Sequence, residues 1–299
     1  MTWEIRALSL ADLESSQQVL SDACDYDNVL DLAEEKLFAP GAGDLAAEPL
    51  GVFVGQTLVG VACTSSTWLR LLAVAPGHRG VGVGGALLHA CEAQMAAHGT
   101  QARTLDQPGN YLSPGIDVRN HECIAWLEKR GYAPITRACN LRIRVDQNPL
   151  VCASRLQELR ERCEQQGYTV LRQPPARLEN DAALVEESFS KGWAFEMRRS
   201  HSRSNGVHIA IEATTGALAG FAAHDGNNAG HGWFGPTGTL PEHRSRGLGA
   251  ALLMACLLDV RDAGHSHCQV AWIGPRAFYD KIAGIDSERH FTVLRKELT

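Results

Sequence analysis

With 299 residues, 44% of them hydrophobic and 21% charged, the chain has an ordinary folded composition and the length of one large domain or two of common size. A net charge of −6 with scattered Lys and Arg lacks the basic excess that phosphate-backbone binding needs, so nucleic acid is excluded as an expected partner. Nine cysteines without a CxxC pair read as reduced thiols, and neither a leader-like start nor a membrane-length apolar run is present, so a cytoplasmic protein without a membrane partner is expected.

In chain order, an extended WEIRAL precedes two helical stretches, LADLESSQQVLSDA and NVLDLAEEKLF. A hairpin follows, GVFVGQTLVGVACTS, turning at Gly55-Gln56, and the strand WLRLLAVAP leads into the glycine loop PGHRGVGVGGALL. Gly84 to His98 reads as a helix, TQARTLDQ as a strand, HECIAWLEKRGY as a helix and ITRACNLRIRV as closing strands. ASRLQELRERCEQQ is a charged amphipathic linker helix. Beyond it come YTVLRQP, the helix LENDAALVEESF, the hairpin VHIAIEATTGALAGFAA, the segment TGTLP, and a second glycine loop, PEHRSRGLGAALL. The order ends with a helix to Ala263, the strand HCQVAWI, the helix PRAFYDKIA and the closing RHFTVLRKEL. His265, His267 and Cys268 form the densest ligand cluster, but strand alternation puts Cys268 opposite the two histidines, and no metal site is expected.

The second half repeats the first. Pro76, His78, Arg79, Gly82, Gly84, Ala86, Leu87, Leu88, Ala90 and Cys91 recur 165 positions later, from Pro241 to Cys256. Two homologous domains are expected, residues 1–147 and 148–299, the second opening with the linker helix. The shift falls to 152 at the following helix, so the first repeat carries 13 extra residues around QPGNYLSPGID, a loop that either covers an opening between strands or pads an interface.

A strand ending in proline, then an arginine, spaced glycines and a helix, presents unpaired backbone N–H groups to an anion: the helix N-terminus supplies partial positive charge, and glycine removes obstructing side chains. Neither copy ends in the Gly-Lys-Ser/Thr of a nucleotide-binding P-loop. The first copy contains GxGxxG in Gly80, Gly82 and Gly85, but Pro-Gly-His-Arg separates it from the strand and Leu252 breaks it in the second copy, so a dinucleotide fold is rejected.

Arg-x-x-Gly-x-Gly after such a strand resembles the GNAT family of acetyl-CoA-dependent N-acetyltransferases, and the resemblance covers nearly the whole chain, twice. It implies an α/β fold of two tandem domains, each a mostly antiparallel mixed sheet flanked by helices, with a splayed central strand pair. It also implies acetyl-CoA as co-substrate, with no metal. The CoA pyrophosphate would lie on the loops, at Arg79, Gly80, Gly82, Gly84 and Gly85 in the first repeat and Arg244, Arg246, Gly247, Gly249 and Ala250 in the second. The backbone of Val74 and Thr239 would meet the pantetheine arm.

The departing thiolate needs a proton, commonly supplied in this family by a Tyr in F-Y-E-K-x-G-F; FYDKIAG places Tyr279 there, whereas WLEKRGY has Leu127. Seven positions earlier the relation reverses, with Asn120, a cofactor-contact type in the family, against Trp272. The expectation is therefore a catalytic second repeat and a catalytically degenerate first one. No general base is assigned; Glu186, Glu187, Asp225 and His231 are the nearest candidates. The acceptor is expected to be the primary amine of a small molecule, an amino sugar being suggested by the combined motifs of the second repeat. Asp22, Asp25, Asp27, Asp31, Glu34 and Glu35 form an acidic run on the acceptor side of the first repeat, read either as attracting a cationic amine or as a solvated face. In the second repeat, ESFSKGWAFEMRRSHSRSNG is expected to be a mobile acceptor-side loop. A reading from a different class, a non-catalytic acyl-CoA-binding sensor or scaffold, stays open.

Overall fold

A computed structural model describes residues 2–298, which form two compact units, residues 2–138 with 290–298 and Cys139–Arg289. The sequence reading puts a boundary at 147/148 because covalent order assigns each closing strand to its own repeat. Along the first repeat run β1 (Glu4–Ala7), α1 (Leu13–Ala23), α2 (Ala33–Phe38), β2 (Glu48–Val54), β3 (Thr57–Ser65) and β4 (Trp68–Val74). Then come α3 (Val83–Ala96), β5 (Gln101–Thr104), β6 (Ile116–Asp117), α4 (His121–Glu128) and β7 (Ala133–Arg144). The second repeat supplies α5 (Ala153–Glu164), β8 (Tyr168–Arg172), α6 (Leu178–Ser188), α7 (Lys191–Ser204), β9 (Val207–Glu212) and β10 (Leu218–His224). It ends with β11 (Trp233–Thr239), α8 (Leu248–Asp262), β12 (His267–Val270), α9 (Arg276–Ala283) and β13 (Ser287–Glu297). Among the described residues no helix is long and apolar enough to cross a membrane.

The sheet of the first unit has the order β1-β2-β3-β4-β5-β13, and that of the second β8-β9-β10-β11-β12-β7. Each is antiparallel but for one central pair, β4 with β5 and β11 with β12. Residues 290–297 thus complete the first sheet, where Arg295, Lys296 and Glu297 face Arg103, Ala102 and Gln101. Residues 141–144 complete the second, where Leu141 faces Val270 and Arg144 faces His267. Helices cover both faces. Leu87, Leu88, Cys91 and Met95 of α3 meet one face of the first sheet, and Val19, Leu20 and Leu37 of α1 and α2 meet the other. Ten of the 15 residues of α8 are buried because the helix lies between its sheet and α5, which contributes Leu156 and Cys163.

The segment expected as a mobile loop after α6 is instead the helix α7. Ser190 caps it by accepting the Trp193 N–H at 3.2 Å, and Asn205 ends it in the left-handed region at φ 52. Of its buried residues, Gly192, Ala194, Glu196, Met197 and Ser200, only Met197 is large and apolar, which hides the helical period among the charged residues.

One irregularity creates the site in each unit. On β4, Cys63 faces Leu71 but the next residue, Thr64, faces Leu69, leaving Arg70 as an extra residue. On β11, Ala222 faces Thr237 and His224 faces Phe234, so Gly235 and Pro236, joined by a cis peptide bond, both stand opposite Ala223. A bulge bends its strand and adds twist, which ends pairing with the next strand. Only Trp68 and Leu69 pair with β5, and only Trp233 and Phe234 with β12. Past the last rungs, Leu105 N–H to Leu69 O at 2.8 Å and Ala271 N–H to Phe234 O at 3.2 Å, the central strands separate. Each sheet therefore opens into a wedge.

Candidate functional site

At the open end of each wedge the strand passes through a tight 3-10 turn, Pro76–His78 or Pro241–His243, into the loop and then the helix, 14 residues in α3 and 15 in α8. The loops share a backbone shape. Gly80 and Gly82 have φ 77 and 99; the matching Ser245 and Gly247 have φ 64 and 79. That a serine accepts this conformation in the second copy makes the left-handed turn a demand of the loop rather than a consequence of glycine. In the first unit no amide of residues 80–85 donates to another described residue, and Ala86 N–H is the first to bond, to Gly82 O at 3.0 Å. In the second unit the amides of residues 245–249 are equally unengaged, and Ala250 N–H bonds Gly247 O at 3.1 Å. A run of free N–H groups at the positive end of a long helix is an anion cradle.

The expected cofactor residues take distinct parts. Arg79 Nε donates to Val74 O at 3.0 Å and Arg244 Nε to Thr239 O at 3.3 Å, so both arginines tie the loop to the last carbonyl of the wedge strand. Gly84 and Gly249 let the helix start approach an aromatic ring: an added Cβ would lie 3.5 Å from Trp126 and 3.3 Å from Phe278. Gly85 has open space up to Arg130, 3.9 Å from such a Cβ. Arg246 is exposed, its guanidinium 5.9 Å from the centre of the Tyr168 ring. Matching Trp126 to Phe278 also aligns the second helices of the repeats. α4 follows Asn120, whose Oδ1 caps the helix by accepting Cys123 N–H at 3.3 Å. α9 begins later, after Gly274-Pro275, and Trp272 stands at the Asn120 position with φ 47 and 40% exposure.

The first wedge holds a half-open cavity of about 140 Å³, lined by β4, the end of β5, the extra loop, α4 and the connection after α1. Asn120 and Leu127 both line it. The extra loop covers the opening here, one of the two roles expected for it: Leu112 and Ser113 are part of the wall. A buried network that the sequence did not suggest holds this loop. The bulge residue Arg70 donates from Nε to Gln107 Oε1 at 2.7 Å and from Nη1 to Ala39 O at 2.8 Å. Asn110 accepts from Lys36 Nζ at 2.9 Å and donates to Ala39 O at 3.1 Å. Of the acidic run, Asp25 and Asp27 line the cavity, while Glu35 pairs with Lys36.

In the second unit Tyr279 is 5% exposed and sits in the core beneath α8, edge-on to Phe278 at 5.0 Å. Burial pushes its pKa up to about 12, so the hydroxyl keeps its proton at neutral pH. It makes no hydrogen bond to another described residue, yet is not among the fully enclosed unpaired groups. On the other side of β11, Phe189 and Trp193 stack at 5.0 Å directly over Gly238, where a Cβ would come within 2.7 Å of Phe189.

Among the candidate bases, Glu187 is exposed, while Glu186 and His231 are half-buried. Asp225 belongs to a buried network. It meets His224 Nδ1 at 3.0 Å; His224 Nε2 and His208 Nε2 meet Asp259 Oδ2 at 3.2 and 2.7 Å, and Arg172 meets Asp259 Oδ1 at 2.7 Å. The corresponding place in the first unit has Thr64 bonded to Gln94 at 2.8 Å. Burial opposes charge on His224, but its bonds to Asp225 and Asp259 outweigh burial and raise its pKa to about 9. Burial keeps His208 below its usual value. Because the folded state holds the His224 proton more tightly, its contribution is complete below pH 6.5 and lost as pH rises toward 9. Urea denaturation at pH 6.5 and pH 9.5 should show a loss of roughly 2 kcal/mol that largely disappears in His224→Gln. An equal loss in the variant would remove His224 as its source.

The sequence of the chain matches the model of the acetyltransferase (GNAT) family over residues 9–132 and again over 156–284. No curated protein matches it in a sequence search. Among solved structures it is similar to the GCN5-related glucosamine N-acetyltransferase region of a fungal multi-domain GH3 β-N-acetylglucosaminidase, with TM-score 0.80, 15% identity and 98% of this chain covered. The match spans 38% of that fungal chain. It is also similar to a GCN5-related N-acetyltransferase from Sphaerobacter thermophilus, with TM-score 0.71, 19% identity and 99% and 96% of the two chains covered. A tandem GNAT protein from the clavulanic acid biosynthesis pathway superposes with TM-score 0.68 at 18% identity, over 100% of this chain and 99% of that one. At these identities the likeness establishes the fold.

Proposed function

The chain belongs to the acetyltransferase (GNAT) family, and we propose that it moves an acetyl group from acetyl-CoA directly to the primary amine of a small molecule, with the second repeat as the site of chemistry. The carrying observation is the pair of anion cradles, each at the open end of a wedge that a strand bulge creates. The free amides of residues 80–85 and 245–249 support a pyrophosphate there, and Val74 and Thr239, the last residues of β4 and β11, support a pantetheine arm running beside them. Acetyl-CoA supplies the activated acyl group as a thioester.

The residues of the second repeat then have definable work. Free amides hold the pyrophosphate, and Arg244, bonded to Thr239 O, keeps the loop in register with the wedge strand. The neutral amine nitrogen forms a bond to the acyl carbon and gives up a proton to water, the carbon–sulfur bond breaks, and the thiolate takes a proton from Tyr279, which water restores. Burial raises the Tyr279 pKa to about 12, which keeps the phenol protonated until the thiolate forms. An amino sugar as acceptor draws support from the fungal neighbour, whose name specifies glucosamine. The burial of Tyr279 favours a competing reading, a non-catalytic acyl-CoA-binding module. Titration with acetyl-CoA, combined with free-thiol release over a panel of amines including glucosamine, separates the two. Amine-dependent release is expected; binding without release on any amine would favour the module.

A further inference from the structure

The two cradles share a backbone shape but are held differently. The linker helix α5 ends beside the second one: Gln165 closes the helix, Gly167 leaves it at φ 82, and Gln166 between them is exposed. The Gln166 side chain donates from Nε2 to Arg162 O, in the last turn of α5, at 3.2 Å and to Arg246 O, in the loop, at 3.1 Å. Both hydrogens of the amide NH2 are thereby used, and helix and loop are joined through one group. The buried Tyr168 hydroxyl is hydrogen-bonded to His243 Nδ1 at 3.0 Å, which fixes the turn from which the loop departs. In the first unit the counterpart of Arg246 is Val81, and among the described residues no side chain donates to its carbonyl. That loop meets the Trp3 ring instead, 3.3 Å from a Cβ placed on Gly82.

Arg246 O and Gly247 N–H belong to one peptide plane, and in a trans peptide they point in opposite directions. Holding the carbonyl at the end of α5 therefore aims the Gly247 N–H away from α5 and keeps it among the free amides of residues 245–249. Glycine occupies φ of either sign, so Gly247 at φ 79 has a cheap alternative: the plane between Arg246 and Gly247 can turn over and put a carbonyl oxygen where the N–H had been. An oxygen there repels the phosphate that the N–H would bind.

Resting on the reading of this loop as a pyrophosphate cradle, we infer that Gln166 is a positioning residue for acetyl transfer by the second repeat: it locks the 246–247 peptide with the N–H toward the pyrophosphate. The linker helix thus takes part in cofactor binding, and the first repeat lacks this lock. Gln166→Met removes the donor, keeps the length of the side chain and, at an exposed position, leaves the core untouched. The test titrates CoA calorimetrically in the Gly82→Val background, which confines the signal to the second cradle. It also measures kcat and KM with acetyl-CoA and with S-acetylpantetheine, a thioester that lacks the pyrophosphate. Gln166→Met is expected to weaken CoA about fivefold and to raise KM for acetyl-CoA by the same factor. The kcat at saturation, the melting temperature and kcat/KM for S-acetylpantetheine should stay as in the parent. The inference is overturned if Gln166→Met binds CoA as tightly as its parent, if kcat falls in place of a rise in KM, or if S-acetylpantetheine suffers an equal loss. A Gly82→Val parent that binds no CoA overturns the cradle reading of the second loop and this inference together.

Discussion

Replacing Tyr279 with phenylalanine is expected to lower the rate of acetyl transfer about a hundredfold while leaving acetyl-CoA affinity within about twofold, the size usual for removing a positioned proton donor. The substitution removes one oxygen. Because Tyr279 makes no hydrogen bond to another described residue, nothing else in the fold is left unpaired by its loss. The ring would keep its edge contact with Phe278 and its place under α8. Steady-state kinetics therefore reads proton donation apart from folding: kcat falls, and the melting temperature and KM for acetyl-CoA stay. If kcat is unchanged, Tyr279 is a packing residue and the proton reaches sulfur by another route.

The second large effect belongs to the cradle. Gly247 has φ 79 and no atom within 4 Å of an added Cβ, so a side chain there meets open space but the wrong backbone region. Gly247→Val sets a β-branched residue in the left-handed conformation, at a cost of roughly 1–2 kcal/mol, and puts methyl groups beside the free amides of residues 245–249. Acetyl-CoA affinity of the second repeat should fall at least about tenfold, and activity at limiting acetyl-CoA should fall with it. Gly82→Val is the matched control in the first repeat, where φ is 99 and the nearest atom to a Cβ would be in the Trp3 ring at 3.3 Å. It should leave the reaction of the second repeat intact.

Much of this arrangement is legible in the sequence because it is local. The proline that ends the strand, the arginine that reaches back to its carbonyl and the glycines of the left-handed turn lie within a dozen residues, and their duplication makes the pattern specific. The wedge is less visible. A bulge is a mismatch between two strands, so Arg70 and Gly235 reveal nothing until their register against β3 and β10 is known. Completion of the first sheet by residues 290–297 is invisible for a similar reason: a closing strand carries no mark of the sheet it joins. The helix α7 is hidden because Met197 is the only large apolar residue on its buried face, and the histidine network is hidden by its dispersal over residues 172, 208, 224, 225 and 259. Asn120 shows a related difficulty. The family resemblance implies a cofactor contact at its position, and the fold gives it a helix to cap on the lining of the cavity.

The most direct test follows free-thiol release from acetyl-CoA in the presence of an accepted amine, in wild type, Gly82→Val and Gly247→Val. The account predicts amine-dependent release that survives Gly82→Val and collapses in Gly247→Val. Release that survives Gly247→Val and is lost in Gly82→Val would contradict it and place the chemistry in the first wedge.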